Sequence, residues 1–286
     1  MTRSYLVDGD VVPADEATVR VDDRGFLYGD AAFETIRIYG GNPFEWDRHL
    51  DRLADTCSLL SLTHDLKRST LRTWVDEVLE ANAMQEGAIR LSITRGVQPG
   101  VLSPRDAVDP SVVILVRPLP RGGINGNATW EDPASVKFVE TQKIPSAALP
   151  ARAKTHNYLN GILARLELDT EDEAILLDGA GRVTEGTISN LFIVDGDRIK
   201  TPPLHRDVLP GITRALTLEM ADMLDIPTEE VDLWPDDLLE ADEVFMTNTT
   251  SEIRPIDQID GTPIDTGSIT DRLRKTLLER IEEKHY

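Results

Sequence analysis

The chain has 286 residues, 40% of them apolar, which is enough to bury a large core and argues against global disorder. Fifty-one acidic side chains against thirty basic ones give a net charge of −21, which argues against nucleic-acid binding because phosphates would be repelled. No apolar run approaches the roughly 18–20 residues of a membrane-spanning helix, and no signal-peptide core is visible, so we expect a cytoplasmic protein. The single cysteine, Cys57, can form neither an internal disulfide nor a multi-cysteine metal site, and we expect no metal.

The first part of the chain predicts short strands and two helices. Alternating apolar residues between turn residues predict strands at 5–7, 11–12, 18–21, 32–39, 89–94 and 112–116. In the fourth of these strands, residues 33, 35 and 37 share one face and residues 34, 36 and 38 the other. Helical spacing of apolar residues predicts one helix behind an N-cap at Asp47 and a second over 69–82.

A linker separates this region from the rest of the chain. Two prolines and three glycines between Arg117 and Gly126 predict a linker at 119–127. Beyond it, predicted strands at 136–140, 174–177, 191–194 and 243–246 alternate with predicted helices at 159–168, 212–224 and 269–283. The sequence therefore predicts an α+β fold with a small N-terminal domain at 1–118 and a larger domain at 128–286.

Lys154 differs from the other lysines, of which the chain has only seven in all. It follows Pro150-Ala151-Arg152-Ala153 and precedes Thr155-His156-Asn157-Tyr158, immediately before an apolar helix. A lysine at a junction of this kind can be partly desolvated, which lowers its pKa and frees the amine as a nucleophile. A plain surface lysine is the alternative reading of the same residues.

Three further segments contain polar groups that can bind an anion or form hydrogen bonds. Glu185 lies between a glycine-containing turn and an apolar strand, where an acid is often a capping group. Residues 209–214 open a helix behind Pro210 and Gly211, and free N–H groups there can bind a phosphate, although an ordinary helix start fits equally well. Residues 247–251 are five small polar residues that form either a polar turn or an oxygen-rich cradle for an anion.

Together these segments resemble the class IV aminotransferase family, the fold type IV enzymes that depend on pyridoxal phosphate. The resemblance covers nearly the whole chain. Its motifs are Asp22-Asp23-Arg24-Gly25-Phe26-Leu27-Tyr28-Gly29-Asp30, Phe33-Glu34-Thr35-Ile36-Arg37, His49-Leu50-Asp51-Arg52-Leu53, Ile93-Thr94-Arg95-Gly96, Lys154-Thr155-His156-Asn157-Tyr158-Leu159-Asn160, Thr184-Glu185-Gly186, Gly211-Ile212-Thr213-Arg214 and Thr249-Thr250-Ser251-Glu252-Ile253. It implies a two-domain fold with a larger C-terminal domain built on a mixed sheet.

The resemblance also implies roles for the cofactor, pyridoxal 5′-phosphate. Lys154 would be the Schiff-base lysine that carries the proton between Cα and C4′. Glu185 would face the pyridine nitrogen and keep it protonated. The phosphate would be bound by the side chain of Arg52, for which a helix-surface ion pair is the alternative, and by three further residues: Ile212, Thr213 and Thr249.

The same resemblance implies a substrate pocket and a homodimer. The pocket residues would be Tyr28, Thr35, Arg37, Arg90, Arg95 and Thr250. A loop from a second subunit, 96–106 here, would close the pocket. The substrates would be an amino acid and a 2-oxo acid, with 2-oxoglutarate and glutamate as one pair. Some of the arginines can instead pair with acidic residues of the pocket wall, and His49 and His156 match no catalytic position, so we interpret them as structural.

The motifs differ between the enzymes of this family, and those of this chain match more than one of them. Branched-chain aminotransferases usually carry a glycine at position 35 and a tyrosine at position 88, whereas this chain has Thr35 and Ala88. Thr35 is also found in aminodeoxychorismate lyases, and the Asn248–Ser251 loop is closer to the D-amino-acid enzymes. We therefore expect an aminotransferase, with aminodeoxychorismate lyase as the alternative. An intact set of motif residues argues against a catalytically silent relative or a pure interaction module.

The distribution of charge indicates an adaptation of the surface. The acidic residues are spread along the whole chain, and lysine is rare among the basic residues. A diffuse acidic surface suits a protein that stays hydrated in concentrated salt, where screening weakens self-repulsion. We interpret this as a halophilic source; an ordinary acidic protein is the alternative.

Overall fold

The structure, a computed structural model, describes residues 3–98, 102–104, 109–121 and 132–286. The chain divides into two compact units, Met1–Arg121 with Ala153–Asn157 and His285–Tyr286, and Gly122–Arg152 with Tyr158–Lys284. Most of the predicted linker at 119–127 lies outside the described residues, so the predicted domain limits stay a prediction. In the described residues, no helix combines the length and the apolar composition that a membrane crossing needs.

The first unit is a six-stranded antiparallel sheet with two long helices. Its elements are β1 (Ser4–Val7), β2 (Asp10–Pro13), α1 (Arg24–Tyr28), β3 (Ala31–Tyr39), β4 (Asn42–Pro43), α2 (Trp46–Leu59), α3 (Arg68–Ala81), β5 (Gly87–Thr94) and β6 (Val112–Pro118). The strand order is β2-β1-β6-β5-β3-β4. Ile36 and Ile38 of β3 pack with Leu53 of α2 and Val75 of α3 in one buried apolar cluster. The predicted alternation of faces in β3 is therefore confirmed.

The second unit is built on a mixed sheet. Its elements are β7 (Ala134–Phe138), α4 (Leu159–Arg165), β8 (Glu173–Leu177), β9 (Val183–Gly186), β10 (Asn190–Asp195), β11 (Arg198–Thr201), α5 (Ile212–Met223), β12 (Thr228–Glu230), α6 (Pro235–Leu239), β13 (Glu243–Asn248), β14 (Glu252–Ile259), β15 (Thr262–Pro263) and α7 (Ser268–His285). The order is β12-β11-β10-β13-β14-β7-β8-β9, with β15 on β14. The pairs β11–β12, β14–β7 and β7–β8 are parallel and the others antiparallel. The predicted mixed sheet and α+β class are confirmed.

Two local predictions are wrong. Residues 17–20 form no regular element, and Val19 and Val21 are exposed, so the expected strand at 18–21 is absent there and the short helix α1 follows instead. The N-cap of α2 is Glu45, in the left-handed conformation with φ of 49°, and not Asp47. Asp47 lies in the first turn of α2, where its negative charge still interacts favourably with the helix dipole.

Candidate active site

Lys154 is held in the first unit through its backbone. Its N–H donates to Oγ1 of Thr56 (3.1 Å), and its carbonyl oxygen accepts the N–H of Phe33 (3.0 Å). The next residue, Thr155, forms a β-bridge with Ala32. The segment that carries the lysine therefore lies along the start of β3, and its position is defined although it belongs to no helix or strand.

The ring of Phe33 contacts two cations. The Lys154 amine lies 4.7 Å from the ring centroid, and the guanidinium carbon of Arg90 lies 3.5 Å from it. The His156 ring meets the same phenyl ring in an edge contact, with centroids 5.6 Å apart, and its Nε2 is 3.1 Å from Oγ of Ser92. Burial and the charge of Arg90 lower the pKa of His156 to about 4, so this histidine is neutral near pH 7.

Arg52 is oriented by a buried carboxylate. Its Nε and Nη2 donate to the two carboxylate oxygens of Glu34, each at 2.7 Å, and Nδ1 of His49 lies 2.8 Å from the same carboxylate. Burial alone would raise the pKa of Glu34, but the charge and hydrogen bonds of Arg52, together with His49, lower it to about 2. Burial lowers the pKa of His49 in turn. The arrangement fixes the guanidinium plane, and His49 contributes to it through its contact with Glu34.

Arg37 and Arg95 are engaged by the framework of the first unit. Nε and Nη2 of Arg95 donate to the carboxylate of Asp30 (2.8 and 3.0 Å), and its guanidinium also donates to the carbonyl oxygens at positions 60 and 61. Arg37 is fully buried, and its Nη1 donates to the carbonyl oxygens of Gly87 (2.9 Å) and Leu119. Arg95 is thus paired with an acidic residue, as the alternative interpretation allows, and Nη2 of Arg37 lies 3.6 Å from the carboxylate of Glu86; their contacts with substrate stay a prediction.

Tyr28 and Thr35 differ in exposure. Tyr28 is the last residue of α1 and is exposed, with the guanidinium carbon of Arg24 5.0 Å from its ring centroid. Thr35 is half-buried and lies opposite Arg90 in the β3–β5 ladder. Since side chains alternate along a strand, Thr35 is on the same face of β3 as Phe33. The structure thus brings Thr35, Phe33, Arg90 and Lys154 together. The predicted loop at 96–106 lies partly outside the described residues, at 99–101 and 105–106.

In the second unit, hydrogen bonds hold both carboxylate oxygens of Glu185. Oε1 accepts from Nζ of Lys143 (2.5 Å), and Oε2 accepts from the N–H of Leu209 (2.9 Å) and from Nδ2 of Asn190 (3.3 Å). Glu185 is buried in β9. Its carboxylate is therefore a negatively charged acceptor of fixed orientation.

Helix α5 presents N–H groups at its start. Its N-cap is Gly211, and in the described part of the chain no side chain caps it. The first N–H groups of the helix, those of Ile212 and Thr213 included, are donors that suit an anion. A Cβ at position 211 would overlap Oδ1 of Asn190, so a larger residue there has to displace that amide.

Thr249 and Thr250 lie in the turn between β13 and β14. Oδ1 of Asn248 accepts from the N–H and Oγ1 of Thr250 (2.9 and 3.1 Å) and from the N–H of Ser251 (2.7 Å), which shapes the turn. Asn190 pairs with Thr247 in the β10–β13 ladder, so this turn begins beside the strand that follows Glu185. Within the second unit the structure thus connects three of the predicted segments through β10.

Comparisons with known proteins identify the family. Residues 31–259 match the family model "Amino-transferase class IV". The chain belongs to the class IV aminotransferases. A putative branched-chain-amino-acid aminotransferase of Methanocaldococcus jannaschii is 37% identical over 95% of this chain and 93% of its own length. A D-alanine aminotransferase of Listeria innocua is 34% identical over 96% and 95%. The aminodeoxychorismate lyase of Bacillus subtilis is 32% identical over 89% and 86%.

Solved structures agree in fold. The branched-chain aminotransferase of Thermoproteus uzoniensis superposes with a TM-score of 0.90 at 30% identity, covering 100% of this chain and 97% of that one. Another branched-chain aminotransferase, solved with pyridoxamine 5′-phosphate, gives a TM-score of 0.91 at 29% identity over 99% and 95%. The fold is therefore fold type IV. Class IV aminotransferases use pyridoxal phosphate, so this chain is a pyridoxal-phosphate enzyme.

The residues of this class IV aminotransferase suit the chemistry of that cofactor. The first unit supplies an amine at Lys154 and an oriented guanidinium at Arg52. The second unit supplies a fixed carboxylate at Glu185 and uncapped helical N–H groups after Gly211. An aldehyde, a protonated ring nitrogen and a phosphate need groups of these kinds.

Sequence reasoning missed the residues that hold these groups. Glu34 orients Arg52, while Lys143 and Asn190 hold Glu185. Glu34 carried a signal, because it is a charged residue on the apolar face of β3, where a buried acid needs a partner. Lys143 and Asn190 carried no signal in the sequence, because their contacts with Glu185 depend on the tertiary structure around β9.

Proposed function

We propose that this chain transfers an amino group between an amino acid and a 2-oxo acid, with 2-oxoglutarate and glutamate as one pair. Lys154 is the proposed catalytic lysine. The observation that carries the proposal is the position of its amine, 4.7 Å from the centroid of the Phe33 ring that Arg90 also contacts, in a segment anchored at both its N–H and its carbonyl. Pyridoxal phosphate supplies the electron-accepting ring and the aldehyde.

Each residue has a proposed task in this reaction. Lys154 would bind the aldehyde carbon, and after the substrate's amine replaces it there, its free amine would move a proton at Cα of the substrate. Glu185 would accept a hydrogen bond from the ring nitrogen and favour its protonated form. Arg52 would bind the phosphate by charge, the N–H groups of Ile212 and Thr213 would bind it at the start of α5, and Thr249 would add its hydroxyl.

Substrate recognition is proposed for the residues around Phe33. Arg90 would bind a substrate carboxylate, because its guanidinium contacts the same Phe33 ring as the Lys154 amine. Thr35 lies opposite Arg90 in the β3–β5 ladder. We propose that Tyr28 and Thr250 also line the substrate pocket. The relatives suggest branched-chain or D-amino acids as donors.

A homodimer is proposed as the working form. In the second unit, α4 and its C-cap expose large apolar side chains: Leu159, Ile162, Leu163 and Leu166. In the first unit, α1 exposes Phe26 and Leu27. Several exposed large apolar side chains on one short helix are typical of an interface between proteins. Light scattering on the purified protein should give twice the mass of one chain, and a monomer at the working concentration would contradict the proposal.

Aminodeoxychorismate lyase is the second candidate. Thr35, opposite Arg90, favours it, because a hydroxyl and an arginine on one face can hold the enolpyruvyl group that the lyase expels. The relative from Bacillus subtilis supports the same reading. Under this candidate, the first proton transfer by Lys154 is shared, and the two reactions diverge afterwards.

One assay distinguishes the two candidates. The purified holoenzyme is incubated with L- and D-amino acids plus 2-oxoglutarate, and separately with aminodeoxychorismate. We expect glutamate to form with at least one donor. Pyruvate and 4-aminobenzoate released far faster than any amino group is transferred would favour the lyase. Thr35→Gly should lower any lyase activity more than it lowers transfer.

We also propose that the enzyme is adapted to concentrated salt, as the net charge of −21 suggests. At low ionic strength the acidic surface repels itself, and salt screens this repulsion. The melting temperature should therefore rise from dilute buffer to molar salt. A flat or falling curve would contradict the halophilic interpretation.

A further inference from the structure

We propose that Asn190 is a positioning residue that couples the carboxylate of Glu185 to the start of helix α5. The proposal rests on the proposed function, in which Glu185 binds the ring nitrogen and α5 binds the phosphate. Through Asn190, the groups that bind the two ends of the cofactor would be held in one fixed arrangement.

The amide of Asn190 belongs to a closed set of hydrogen bonds. Its Nδ2 donates to Oε2 of Glu185 (3.3 Å) and to the carbonyl oxygen of Leu209 (3.0 Å). The N–H of Leu209 donates to the same Oε2 (2.9 Å). Leu209 is thus held at both its N–H and its carbonyl, two residues before Gly211. A movement of the turn before α5 would therefore displace the Glu185 carboxylate, and a movement of the carboxylate would displace the turn.

The other end of the same amide packs on the helix start. Oδ1 of Asn190 lies where a Cβ of residue 211 would collide with it, so the amide occupies the space that Gly211 leaves open. The position of Asn190 is fixed in turn, because it is buried and pairs with Thr247 in the β10–β13 ladder. One side chain therefore contacts the carboxylate, the turn and the helix start.

The chemistry of this position requires an amide. Aspartate has nearly the same shape, but it loses both N–H donors and brings a second negative charge beside Glu185. Alanine is uncharged, but it leaves the Leu209 carbonyl without this donor and opens space beside Gly211. A residue that only filled space would tolerate aspartate better than alanine, whereas a positioning amide tolerates aspartate less.

The first experiment measures cofactor binding. Apo protein and holoenzyme of Asn190→Ala, Asn190→Asp and the wild type are compared by dialysis against pyridoxal phosphate, and the melting temperature of each apo protein checks that it folds. We expect affinity to fall about 10-fold for the alanine variant, as for a lost hydrogen bond to a charged group, and further for aspartate. Asn82→Ala is the control, because Asn82 also donates to a backbone carbonyl, that of Ser4, but in the first unit.

The second experiment tests the coupling itself. Gly211→Ala changes the phosphate end, and we expect it to shift both the phosphorus resonance of the bound cofactor and the pH dependence of the ring absorbance. In Asn190→Ala the same glycine change should still shift the phosphorus resonance but should shift the ring absorbance less, because only the N–H of Leu209 then connects the turn before α5 to Glu185. The proposal would be overturned if Gly211→Ala alone left the pH dependence of the ring absorbance unchanged. It would also be overturned if the wild type and both Asn190 variants bound pyridoxal phosphate with affinities within about 2-fold of one another. A wild type that binds no pyridoxal phosphate would instead overturn the proposed function.

Discussion

Different contacts define the positions of Lys154 and Glu185. The backbone of Lys154 is anchored at both the N–H and the carbonyl, while its amine lies against the ring of Phe33. Glu185 is held at its side chain, by three donors on its two carboxylate oxygens. The first arrangement fixes where the side chain starts, and the second fixes where it ends.

This difference corresponds to the two tasks that we propose. A lysine that would bind an aldehyde and move a proton at a neighbouring carbon needs a defined point of attachment, and the two backbone hydrogen bonds of Lys154 supply it. A carboxylate that stabilises charge on a ring has to stay in place, because a preorganised dipole needs no rearrangement during the reaction. Substitutions at each residue and at its partners test this difference.

Removing the lysine amine should have the largest effect. Lys154→Ala should fold, lose the yellow colour of the bound cofactor and lower kcat by about 10³-fold or more. Absorbance spectra and single-turnover kinetics measure both effects. Lys137→Ala is the control, because its Nζ donates to the backbone carbonyl of Glu167 (2.9 Å) in the second unit. Loss of colour in the control and not in Lys154→Ala would contradict the assignment.

Neutralising the fixed carboxylate should rank second. Glu185→Gln keeps the length of the side chain but removes the charge, so the cofactor should remain bound while kcat falls by about 10²- to 10³-fold. Steady-state kinetics at saturating substrate give the value, and the bound cofactor is measured in the same sample. An unchanged kcat with full cofactor occupancy would remove the role given to Glu185.

Two bidentate arginine pairs allow a matched test of Arg52. Glu34→Gln disrupts the pair with Arg52 and should weaken pyridoxal phosphate binding by about 10-fold more than it weakens binding of pyridoxal, which lacks the phosphate. Asp30→Asn disrupts the pair of Arg95 and should lower the melting temperature without changing that ratio. Equal changes in the ratio for both variants would contradict a phosphate-binding role for Arg52.

The smallest expected effect concerns the acid stability of the first unit. Burial lowers the pKa of His156 from 6.5 to about 4, so the folded protein binds its proton later than the unfolded chain does as pH falls. The stabilisation is present above pH 6.5 and is lost as pH falls toward 4, with a slope of up to about 1.4 kcal/mol per pH unit. His156→Gln should make the free energy of unfolding less steep in this range, as measured by denaturant titration. Identical slopes would rule the linkage out.

The sequence predicted the elements whose patterns are local. Alternation identified β3 and its two faces, and helical spacing identified α2, α3 and α5. It missed β14, because a proline and charged residues interrupt the apolar pattern of that strand. In the structure Pro255 lies opposite Phe245, and the pairing of β14 with β7 is irregular near Gln258. It also missed β9, whose Thr-Glu-Gly end is typical of a turn.

The site residues also divide into those that a local motif identifies and those that only the tertiary structure brings together. Lys154, Glu185 and the start of α5 were identifiable because each lies in a motif whose residues are adjacent in the chain. The residues that hold them were not, since Glu34 and Arg52 are 18 positions apart and Lys143 and Glu185 are 42 apart. Pairings of this kind depend on tertiary structure. For Arg37 and Arg95 the motif did not indicate that the framework of the first unit engages both side chains.

Chemical labelling tests the central assignment most directly. The holoenzyme is treated with borohydride, which fixes the cofactor on the lysine that holds it, and the modified peptide is identified by mass spectrometry. We predict one phosphopyridoxyl group per chain, on Lys154. A label on Lys143 or Lys137, or no label on a yellow holoenzyme, would contradict the account.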